Sequence, residues 1–396
     1  MKNTHAYDTL KRTIFQAKDK EVKVRRQPGI NTEDIIMKKY KVGIIGATGM
    51  VGQRFVTLIE NHPWFELAAV AASSRSAGKT YEEAVGDRWM MEAPMPDTVK
   101  NLNVLSAEND IKQLTDSVNF VFSAVDMKKD EIKALEEAYA KAECPVVSNN
   151  SAHRWTPDVP MIIPEINPEH SDIIQYQRKR LGTDRGFITA KSNCSIQSYV
   201  PALHPLKDVY GLNKILVCTY QAISGAGKTF KTWPEMVENV IPYIGGEEEK
   251  SETEPHKIWG TIKNDVIEPA VTPAVTAQCI RVAALDGHMG AVFASFDKKT
   301  DIEEIKQLWK TFKGKPQELN LPSAPKQFIH YFEENDRPQT KLDCNLEHGM
   351  AISAGRLRPD TQYNIKFISL SHNTLRGAAG GAVLTAELLC AEEYIV

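Results

Sequence analysis

The chain has 396 residues, of which 42% are hydrophobic and 25% charged, and its formal net charge is -3. This length is enough for two domains of ordinary size, and the composition is that of a globular protein. The small net charge gives no reason to expect nucleic acid or an anionic membrane as a partner, and no apolar run is long enough to cross a bilayer. Six cysteines lie far apart without a CxxC pair, which favours free thiols in a reducing cytoplasm. No HExxH or comparable spacing predicts a metal site.

The first 39 residues are mostly polar and show no sustained period. We expect residues 1–39 to form an extension that is disordered or packs on the outside of the fold. This segment lacks the apolar core of a secretory signal and does not have the features of a transit peptide. The folded part is therefore expected to begin near Tyr40.

A strand followed by a glycine-rich turn begins at Tyr40. Residues 41–45 form an apolar run, Gly46, Gly49 and Gly52 mark the turn, and a helix-compatible stretch continues to Ile59. Such a turn lets the backbone approach a pyrophosphate at a helix N-terminus, although its spacing differs from GxGxxG. The candidate cofactor contacts in this turn are Gly46, Thr48, Gly49, Met50 and Val51.

The loop after the second predicted strand, residues 67–72, indicates which dinucleotide binds. An NAD-binding protein typically has an acid there, which accepts a hydrogen bond from the ribose 2′-hydroxyl. This chain has hydroxyls and a cation instead, with Lys79 close by, and these groups suit a 2′-phosphate. We therefore expect NADP rather than NAD, while a simple polar loop is the alternative for any one of these residues. The candidate contacts are Ser73, Ser74, Arg75 and Ser76.

The order of strands and helices predicts two different domains. Further strands at 103–105, 119–123 and 145–148, with a helix over 127–142, indicate a doubly wound parallel sheet of the Rossmann type. Four prolines between 157 and 168 predict a loop-rich segment. Later strands at 214–221, 291–296, 350–357 and 364–371 have few crossover helices between them, so we expect an α+β domain with a large, mainly antiparallel sheet.

The predicted domains are the extension over 1–39, a dinucleotide-binding domain over 40–190 and a catalytic domain over 191–372. A glycine-rich entry to a final helix near 382–389 suggests that residues 373–396 return to complete the dinucleotide-binding domain.

Cys194 lies where a predicted strand gives way to a helix-compatible stretch. Unpaired helix N-terminal amides would lower the pKa of its thiol and bind an oxyanion, as a nucleophile requires. A small buried cysteine at an element boundary is the more common alternative. Downstream, the guanidinium of Arg281 can hold a carboxylate. His288, with the near-neutral pKa of a histidine, can take a proton from a thiol, although a lone histidine is more often structural. Residues 224–229 are not a P-loop, because Ala222 stands where the pattern requires glycine.

These segments, taken in order, resemble the aspartate-semialdehyde dehydrogenase family, in particular its archaeal and fungal branch. The resemblance covers roughly residues 40–396. The segments that carry it are the turn from Gly46 to Gly52, Ser74-Arg75-Ser76-Ala77-Gly78-Lys79, Ser192-Asn193-Cys194-Ser195, the stretch from Tyr220 to Gly227, Glu247-Glu248-Glu249-Lys250, the stretch from Arg281 to His288, and Asn373-Thr374-Leu375-Arg376-Gly377.

The resemblance implies NADPH-dependent reductive dephosphorylation of L-aspartyl 4-phosphate to L-aspartate 4-semialdehyde, a step in lysine, threonine and methionine biosynthesis. Cys194 would form the acyl-thioester, His288 would be the acid/base, and Gln221 would orient the intermediate. The family's second domain resembles that of glyceraldehyde-3-phosphate dehydrogenase. Its sheet would present an apolar face that forms a homodimer or homotetramer.

The resemblance also implies a set of substrate contacts. Arg281 would hold the substrate α-carboxylate, Glu247 would meet the ammonium group, and Lys250 would bind phosphate. Glu254 and Lys257 have the same spacing as Glu247 and Lys250 and are the second choice for these two contacts. The remaining implied contacts are Arg154 and Asn193 for the substrate, and Ser224, Gly225 and Asn373 for the cofactor.

Three other functions are compatible with parts of this pattern. An archaeal-type malonyl-CoA reductase shares the fold and the thioester chemistry. N-acetylglutamyl-phosphate reductase is more distant, because its substrate has no free ammonium for Glu247. Outside enzymes, the chain would be a dinucleotide-binding regulator in which Cys194 is only structural.

Overall fold

Two seven-stranded sheets carry the part of the chain that the computed structural model describes, residues 39–396. The predicted N-terminal extension therefore lies outside the described residues, except for Lys39. No helix within residues 39–396 is long and apolar enough to span a bilayer.

The first sheet is parallel throughout, with the strand order β3-β2-β1-β4-β5-β7-β6. Its strands are short apolar runs, typical of strands that are covered by helices on both faces. Val42 and Ile44 of the first strand, for example, are fully buried. The strands are β1 (Tyr40–Ile45), β2 (Phe65–Ala72), β3 (Val104–Ser106), β4 (Phe120–Ser123), β5 (Val146–Ser148), β6 (Met161–Ile162) and β7 (Ile188–Lys191).

The helices between these strands complete a doubly wound α/β layer structure, as predicted. They are α1 (Met50–Ile59), α2 (Tyr81–Val85), α3 (Asp97–Lys100), α4 (Ile111–Thr115), α5 (Lys129–Lys141) and α6 (Ile174–Leu181). Helix α6 falls at the end of the segment predicted to be loop-rich, so that prediction is wrong there. Pro168 begins a 3₁₀ helix, Pro168–Ile173, that leads into α6, and a proline costs a helix little at its first position because the missing N–H has no intrahelical partner.

The second sheet is mixed, with the order β14-β15-β16-β13-β8-β12-β9. Four of its pairings are antiparallel, and two, β8 with β12 and β14 with β15, are parallel. The prediction of a large, mainly antiparallel sheet is therefore confirmed, although it missed β9, β12 and β14. The strands are β8 (Leu212–Gln221), β9 (Val240–Ile241), β12 (Ala274–Val282), β13 (His288–Phe296), β14 (Ile329–Phe332), β15 (Ile352–Pro359) and β16 (Ile365–Ser371).

One face of this second sheet packs on helices and the other is open. Buried and half-buried residues alternate along β8 and β13, which is the pattern of a sheet with one covered face. The half-buried positions on the open side include Leu216, Tyr220, Phe293 and Ile368. The remaining elements of this half are α7 (Val200–Tyr210), α8 (Glu247–Ile258), the hairpin β10 (Thr261–Lys263) and β11 (Val266–Glu268), α9 (Ile302–Thr311), α10 (Lys315–Glu318), α11 (Thr340–Asp343) and α12 (Leu346–Gly349).

The final helix, α13 (Ala379–Ala391), is apolar around most of its circumference and almost entirely buried. Its side chains lie in the same hydrophobic cluster as Phe55 and Val56 of α1. A helix that is apolar on all sides is stable only inside a protein, so this placement explains its composition.

Candidate active site

Cys194 lies three residues beyond the end of β7, in a tight polar turn. The side-chain oxygen of Asn193 accepts hydrogen bonds from the backbone N–H and the hydroxyl of Ser195, at 2.8 and 2.7 Å, and so fixes the turn. A short 3₁₀ helix, Ile196–Ser198, follows before α7 begins. The strand-to-helix turn predicted from the sequence is therefore present, with the 3₁₀ helix inserted.

The pKa of the Cys194 thiol differs from the expectation. Burial raises it, and with a smaller contribution from the charge of Glu247 the pKa reaches about 11, while Lys191, Arg154 and Arg281 lower it only in part. The predicted lowering of the pKa by helix amides is wrong for the free protein. The free energy lost when a thiolate is removed from water exceeds the stabilisation that these positive charges supply. Cys194 is a protonated thiol at neutral pH before substrate binds.

Gln221, Arg281 and His288 meet at one end of the second sheet. Gln221 ends β8, and Arg281 is its neighbour on the parallel strand β12. Strand β13 runs antiparallel to β8, so its first residue, His288, lies at the same end. The strand directions therefore gather three residues that are up to 67 positions apart in sequence.

His288 is completely buried, and its ring is oriented by the backbone. Its Nδ1 accepts a hydrogen bond from the backbone N–H of Ala222 at 3.1 Å. Because that N–H can only donate, the proton of the neutral imidazole is on Nε2. Nε2 has no hydrogen-bond partner among residues 39–396, so it is a free donor inside the site.

The predicted near-neutral pKa of His288 is also wrong. Burial, together with the charge of Arg281, lowers it to about 3, and the charge of Glu247 opposes this only in part. The imidazolium form would also bring a second N–H against the amide of Ala222. His288 is therefore neutral across the physiological range, and at Nε2 it can donate a hydrogen bond but not accept a proton.

Gly225 closes the space above His288 and Arg281. A Cβ atom at Gly225 would lie 2.9 Å from His288 Nε2 and 3.1 Å from Arg281 Nη1. Arg281 is held there by a hydrogen bond from Nη1 to the carbonyl of Ala222, at 2.7 Å. Only a glycine leaves both polar groups uncovered, so this loop residue helps to shape the site.

Glu247 connects several of the predicted substrate contacts. It is the first residue of α8, where the helix dipole favours an acid. Lys250 pairs with it at 2.7 Å, and Asn193 donates to both of its oxygens, at 3.1 and 3.0 Å. Gln221 donates to it at 3.4 Å. Burial raises the pKa of Glu247, but Lys250 and Asn193 outweigh that effect and hold the pKa below its ordinary value.

The second-choice pair, Glu254 and Lys257, is engaged elsewhere. The Nζ atom of Lys257 donates to three backbone carbonyls at 2.7–2.9 Å. Glu254 accepts from the backbone N–H of Asn193 at 2.6 Å and pairs with Arg154 at 2.8 Å. These contacts support the turn before Cys194 from behind, and they argue against Glu254 and Lys257 as substrate contacts.

Arg154 itself is buried beside the turn. Besides its ion pair with Glu254, its Nε donates to the carbonyl of Lys191 at 2.8 Å. Lys191 is the residue in this neighbourhood that the sequence reasoning missed: it ends β7 and is 4% exposed. A lysine two positions before the Asn193-Cys194 pair was visible in the sequence, but nothing there indicated that it is buried.

The glycine-rich turn and the loop after β2 line one cleft of about 280 Å³. Helix α1 begins at this cleft without a side-chain cap, so its first amides are free donors for an anion. A Cβ atom at Gly49 would meet no protein atom closer than 3.6 Å, which leaves the space above the turn open. The predicted residues that line the cleft are Gly46, Thr48, Gly49, Ser73, Ser74 and Arg75, and the missed ones include Glu108 and Asp126.

The other predicted cofactor contacts lie elsewhere. Met50 and Ser224 line a separate cavity of about 160 Å³ next to the first turn of α1. Asn373 donates to Ser224 at 2.8 Å, and Ser224 donates to Asp286 at 2.6 Å. Val51 and Ser76 are near the first cleft but do not line it.

A parallel, doubly wound sheet has an open cleft at a helix N-terminus, and a half-buried cysteine follows its strand β7. The second sheet holds a buried histidine. This arrangement is typical of a two-domain dehydrogenase. Family models agree. The model for the NAD binding domain of semialdehyde dehydrogenases matches residues 41–174, and the model for their dimerisation domain matches residues 203–376.

Individual relatives define the family more closely. The aspartate-semialdehyde dehydrogenase of Methanothermobacter thermautotrophicus is 42% identical over 88% of this chain and 98% of its own length. The aspartate-semialdehyde dehydrogenase of Schizosaccharomyces pombe is 41% identical over 88% of this chain and 97% of its own length. A crystal structure of the Candida albicans enzyme with NADP superposes with a TM-score of 0.81 at 36% identity, covering 90% of this chain and all of that one. The chain belongs to the aspartate-semialdehyde dehydrogenase family.

These matches confirm the resemblance inferred from the sequence and the two-domain fold, and they give no support to the malonyl-CoA reductase or regulator alternatives. The domain boundaries stay a prediction, as do the roles of individual site residues. The described residues contain no cluster of three His, Cys, Asp or Glu side chains that could hold a metal ion.

Proposed function

We propose that this protein catalyses the NADPH-dependent reductive dephosphorylation of L-aspartyl 4-phosphate to L-aspartate 4-semialdehyde, in lysine, threonine and methionine biosynthesis. The observation that carries the proposal is the site at the end of the second sheet. There Arg281 and Glu247 lie close enough for their charges to act on both Cys194 and His288.

The charged groups suit a substrate that is an amino acid. Arg281 uses one guanidinium nitrogen for the carbonyl of Ala222, so its remaining donors are available to an α-carboxylate. Glu247 is ionised and buried, and a substrate ammonium would join its existing donors. Lys250 is about one-third exposed and is the proposed contact for the phosphate. An acyl-CoA offers no ammonium for Glu247, so this set favours the aspartyl substrate.

In the proposed reaction, Cys194 attacks the acyl carbon as a thiolate, phosphate leaves, and a thioester forms on the sulfur. When bound, NADPH supplies the hydride that reduces this thioester carbonyl. The Nε2–H of His288 donates a hydrogen bond to the oxygen that becomes negative in each tetrahedral state. The carbon–sulfur bond of the hemithioacetal then breaks, which releases the aldehyde and returns the thiolate. Asn193 and Gln221 hold Glu247 in place during these steps.

Several groups support NADP as the cofactor. The uncapped N-terminus of α1 and the open space at Gly49 suit a pyrophosphate. Ser73, Ser74 and Arg75 are exposed at the rim of the same cleft, where a ribose 2′-phosphate would meet two hydroxyls and a cation. Ser224, Gly225 and Asn373 lie toward His288 and are the proposed contacts for the nicotinamide end.

The proposed assembly is a homodimer or homotetramer in the cytoplasm. The family model that covers residues 203–376 describes a dimerisation domain, and the open face of the second sheet carries half-buried apolar side chains. All six cysteines are free thiols, as a reducing compartment requires.

The decisive experiment is the reverse reaction, phosphate-dependent oxidation of L-aspartate 4-semialdehyde by NADP⁺, followed as NADPH formation. The wild-type protein should be active only when phosphate is present. Cys194→Ala should be inactive yet still bind NADPH. Turnover of malonyl-CoA without turnover of the semialdehyde, or activity in Cys194→Ala, would contradict the proposal.

A further inference from the structure

Lys191 is a buried lysine next to Cys194 for which no role has been assigned. Its side chain is 4% exposed, and its Nζ makes one long hydrogen bond, to the carbonyl of Ser192 at 3.3 Å. Among the ion pairs formed within residues 39–396, none includes Lys191. An ammonium group has three donors, and a buried one normally has a counter-charge.

The neighbouring charges are already paired. Arg154 pairs with Glu254 at 2.8 Å, and Arg376 holds Glu165 through two parallel hydrogen bonds. These carboxylates are therefore compensated. The group near Lys191 that can still become negative is Cys194, three positions along the chain.

The packing prevents Lys191 from reaching another partner. Its Cε lies against the first turn of α13, where a Cβ atom at Gly381 would be 2.7 Å away. A lysine at a surface extends its amine into water, but this side chain is confined between β7 and a buried helix. The amine therefore stays close to the Cys194 turn.

We propose that Lys191 is a positioning residue that acts as the counter-ion of the Cys194 thiolate. The inference rests on the proposed role of Cys194 as the nucleophile. Starting from ammonium and thiol, the S–H bond breaks, the proton leaves to solvent, and the ammonium stays protonated beside the thiolate. Loss of the proton from Nζ instead leaves an amine beside a thiol, which is unreactive. His288 does not take this proton, because its Nε2 already carries one.

The charges around the pair determine which form prevails. Arg154 and Arg281 favour the thiolate, and Glu247 opposes it. Around Lys191 itself, Arg154 and Arg376 favour the neutral amine, while Cys194 and Glu254 favour the ammonium. Burial lowers the pKa of Lys191 to about 7, so its protonation changes in the range where the enzyme would work. A substrate phosphate next to Lys250 would add negative charge and favour the ammonium further.

The test is the rate at which iodoacetamide alkylates Cys194 between pH 6 and 10, measured by peptide mass spectrometry on the full chain. Lys191→Met keeps the stem and removes the charge, and Lys191→Arg keeps the charge. At pH 7 we expect the rate at Cys194 to fall by about tenfold or more in Lys191→Met, since each unit of pKa is a factor of ten in thiolate. Lys191→Arg should retain much of the wild-type rate. N-acetylcysteine added to each sample is the control, and its alkylation profile should be the same with every variant.

A Cys194 profile in Lys191→Met identical to that of the wild type would overturn the proposal. Lys191→Gln serves as a second neutral variant if Lys191→Met does not fold. Because alkylation needs no turnover, these results are independent of whether the proposed substrate is correct.

Discussion

Burial acts on Cys194, His288 and Lys191 in ways that follow from the sign of each charged form. It raises the pKa of the thiol to about 11 and lowers those of the imidazole and the amine to about 3 and about 7. In each case the neutral form is favoured, because a buried charge loses its hydration. Before substrate binds, Cys194 and His288 are therefore neutral, while Lys191 changes its protonation near neutral pH. Glu247 and Lys250, at the edge of the site, form an ion pair.

For His288, the pH dependence distinguishes a hydrogen-bond donor from a base. Since its pKa is about 3, His288 stays neutral from pH 5 to 9, and the rise of kcat/KM with pH should come from ionisation of Cys194. His288→Ala should lower kcat by about 10²–10³, the cost of losing one oxyanion donor, and leave the shape of the profile unchanged. The measurement is kcat/KM against pH for both proteins. Loss of an ionisation near pH 6.5 in the variant would instead show that His288 titrates as a base.

At the scale of elements, the site depends on where three strands end. The carboxyl ends of β8 and β12 and the amino end of β13 meet, and the loop over residues 222–227 covers them. This loop contributes a backbone donor to His288, a backbone acceptor to Arg281 and a glycine between the two. A single added methyl group in the loop would therefore disturb both side chains.

Gly225→Ala tests this dependence. Its new Cβ would contact His288 Nε2 at 2.9 Å and Arg281 Nη1 at 3.1 Å, so both must shift. We expect kcat/KM to fall by about 10- to 100-fold, since misplacement by a fraction of an ångström weakens orientation, while the melting temperature changes little. Gly245→Ala is the matched control, because a Cβ there meets no atom within 4 Å. Equal kinetics in the two variants would refute the role given to the loop.

The loop after β2 carries a separate prediction about the cofactor. If Arg75 contacts the 2′-phosphate, Arg75→Ser should lower kcat/KM for NADPH by about 10-fold or more, the worth of a charge-assisted hydrogen bond. The value for NADH, which lacks that phosphate, should stay almost constant. Steady-state rates with the two cofactors give the ratio directly. Equal losses with both would place Arg75 outside the 2′-phosphate site.

Local sequence patterns were enough to predict the strands and helices whose side chains are uniformly apolar. Strands β1 and β2 are continuous apolar runs, and the glycine turn between them has few alternatives. Strand β12 was missed, because Thr276 and Gln278 on its open side interrupt the apolar pattern that marks a strand. Helix α6 was missed because nearby prolines suggested a loop.

The site residues were predictable as a set, but their ionisation was not. The protonation of His288 depends on an amide 66 positions away, and the support behind Cys194 depends on an ion pair between Arg154 and Glu254, 100 positions apart. Contacts of this kind arise only when the two halves of the chain fold together. Propensity and spacing carry no information about them, and so neither the burial of Lys191 nor the tautomer of His288 could be inferred.

At the scale of the whole molecule, the two sheets have different surroundings. The first is covered by helices on both faces. The second packs its inner face on α7 and α9, while its outer face exposes a mixture of aromatic, aliphatic and a few charged side chains. An apolar sheet face of this kind is a usual site of association between subunits. The inner side of the same strands carries the proposed catalytic residues at its edge, so association would also fix the position of the site.

A charge placed on the outer face should therefore separate the subunits. Phe293→Asp puts a carboxylate on that face, on β13, where the cation opposite it, Lys366, is already paired with Asp360 at 2.7 Å. We expect sedimentation at micromolar concentration to show an oligomer for the wild type and mostly monomer for the variant. Val209→Asp, on α7 beyond the opposite side of the sheet and 36% exposed, should remain oligomeric. A monomeric wild type, or an oligomer that persists in Phe293→Asp, would show that the subunits associate through another surface or not at all.

Because Phe293 lies on the strand that begins with His288, we also expect the monomeric variant to lose activity through a less rigid β13, with kcat reduced more than KM is raised.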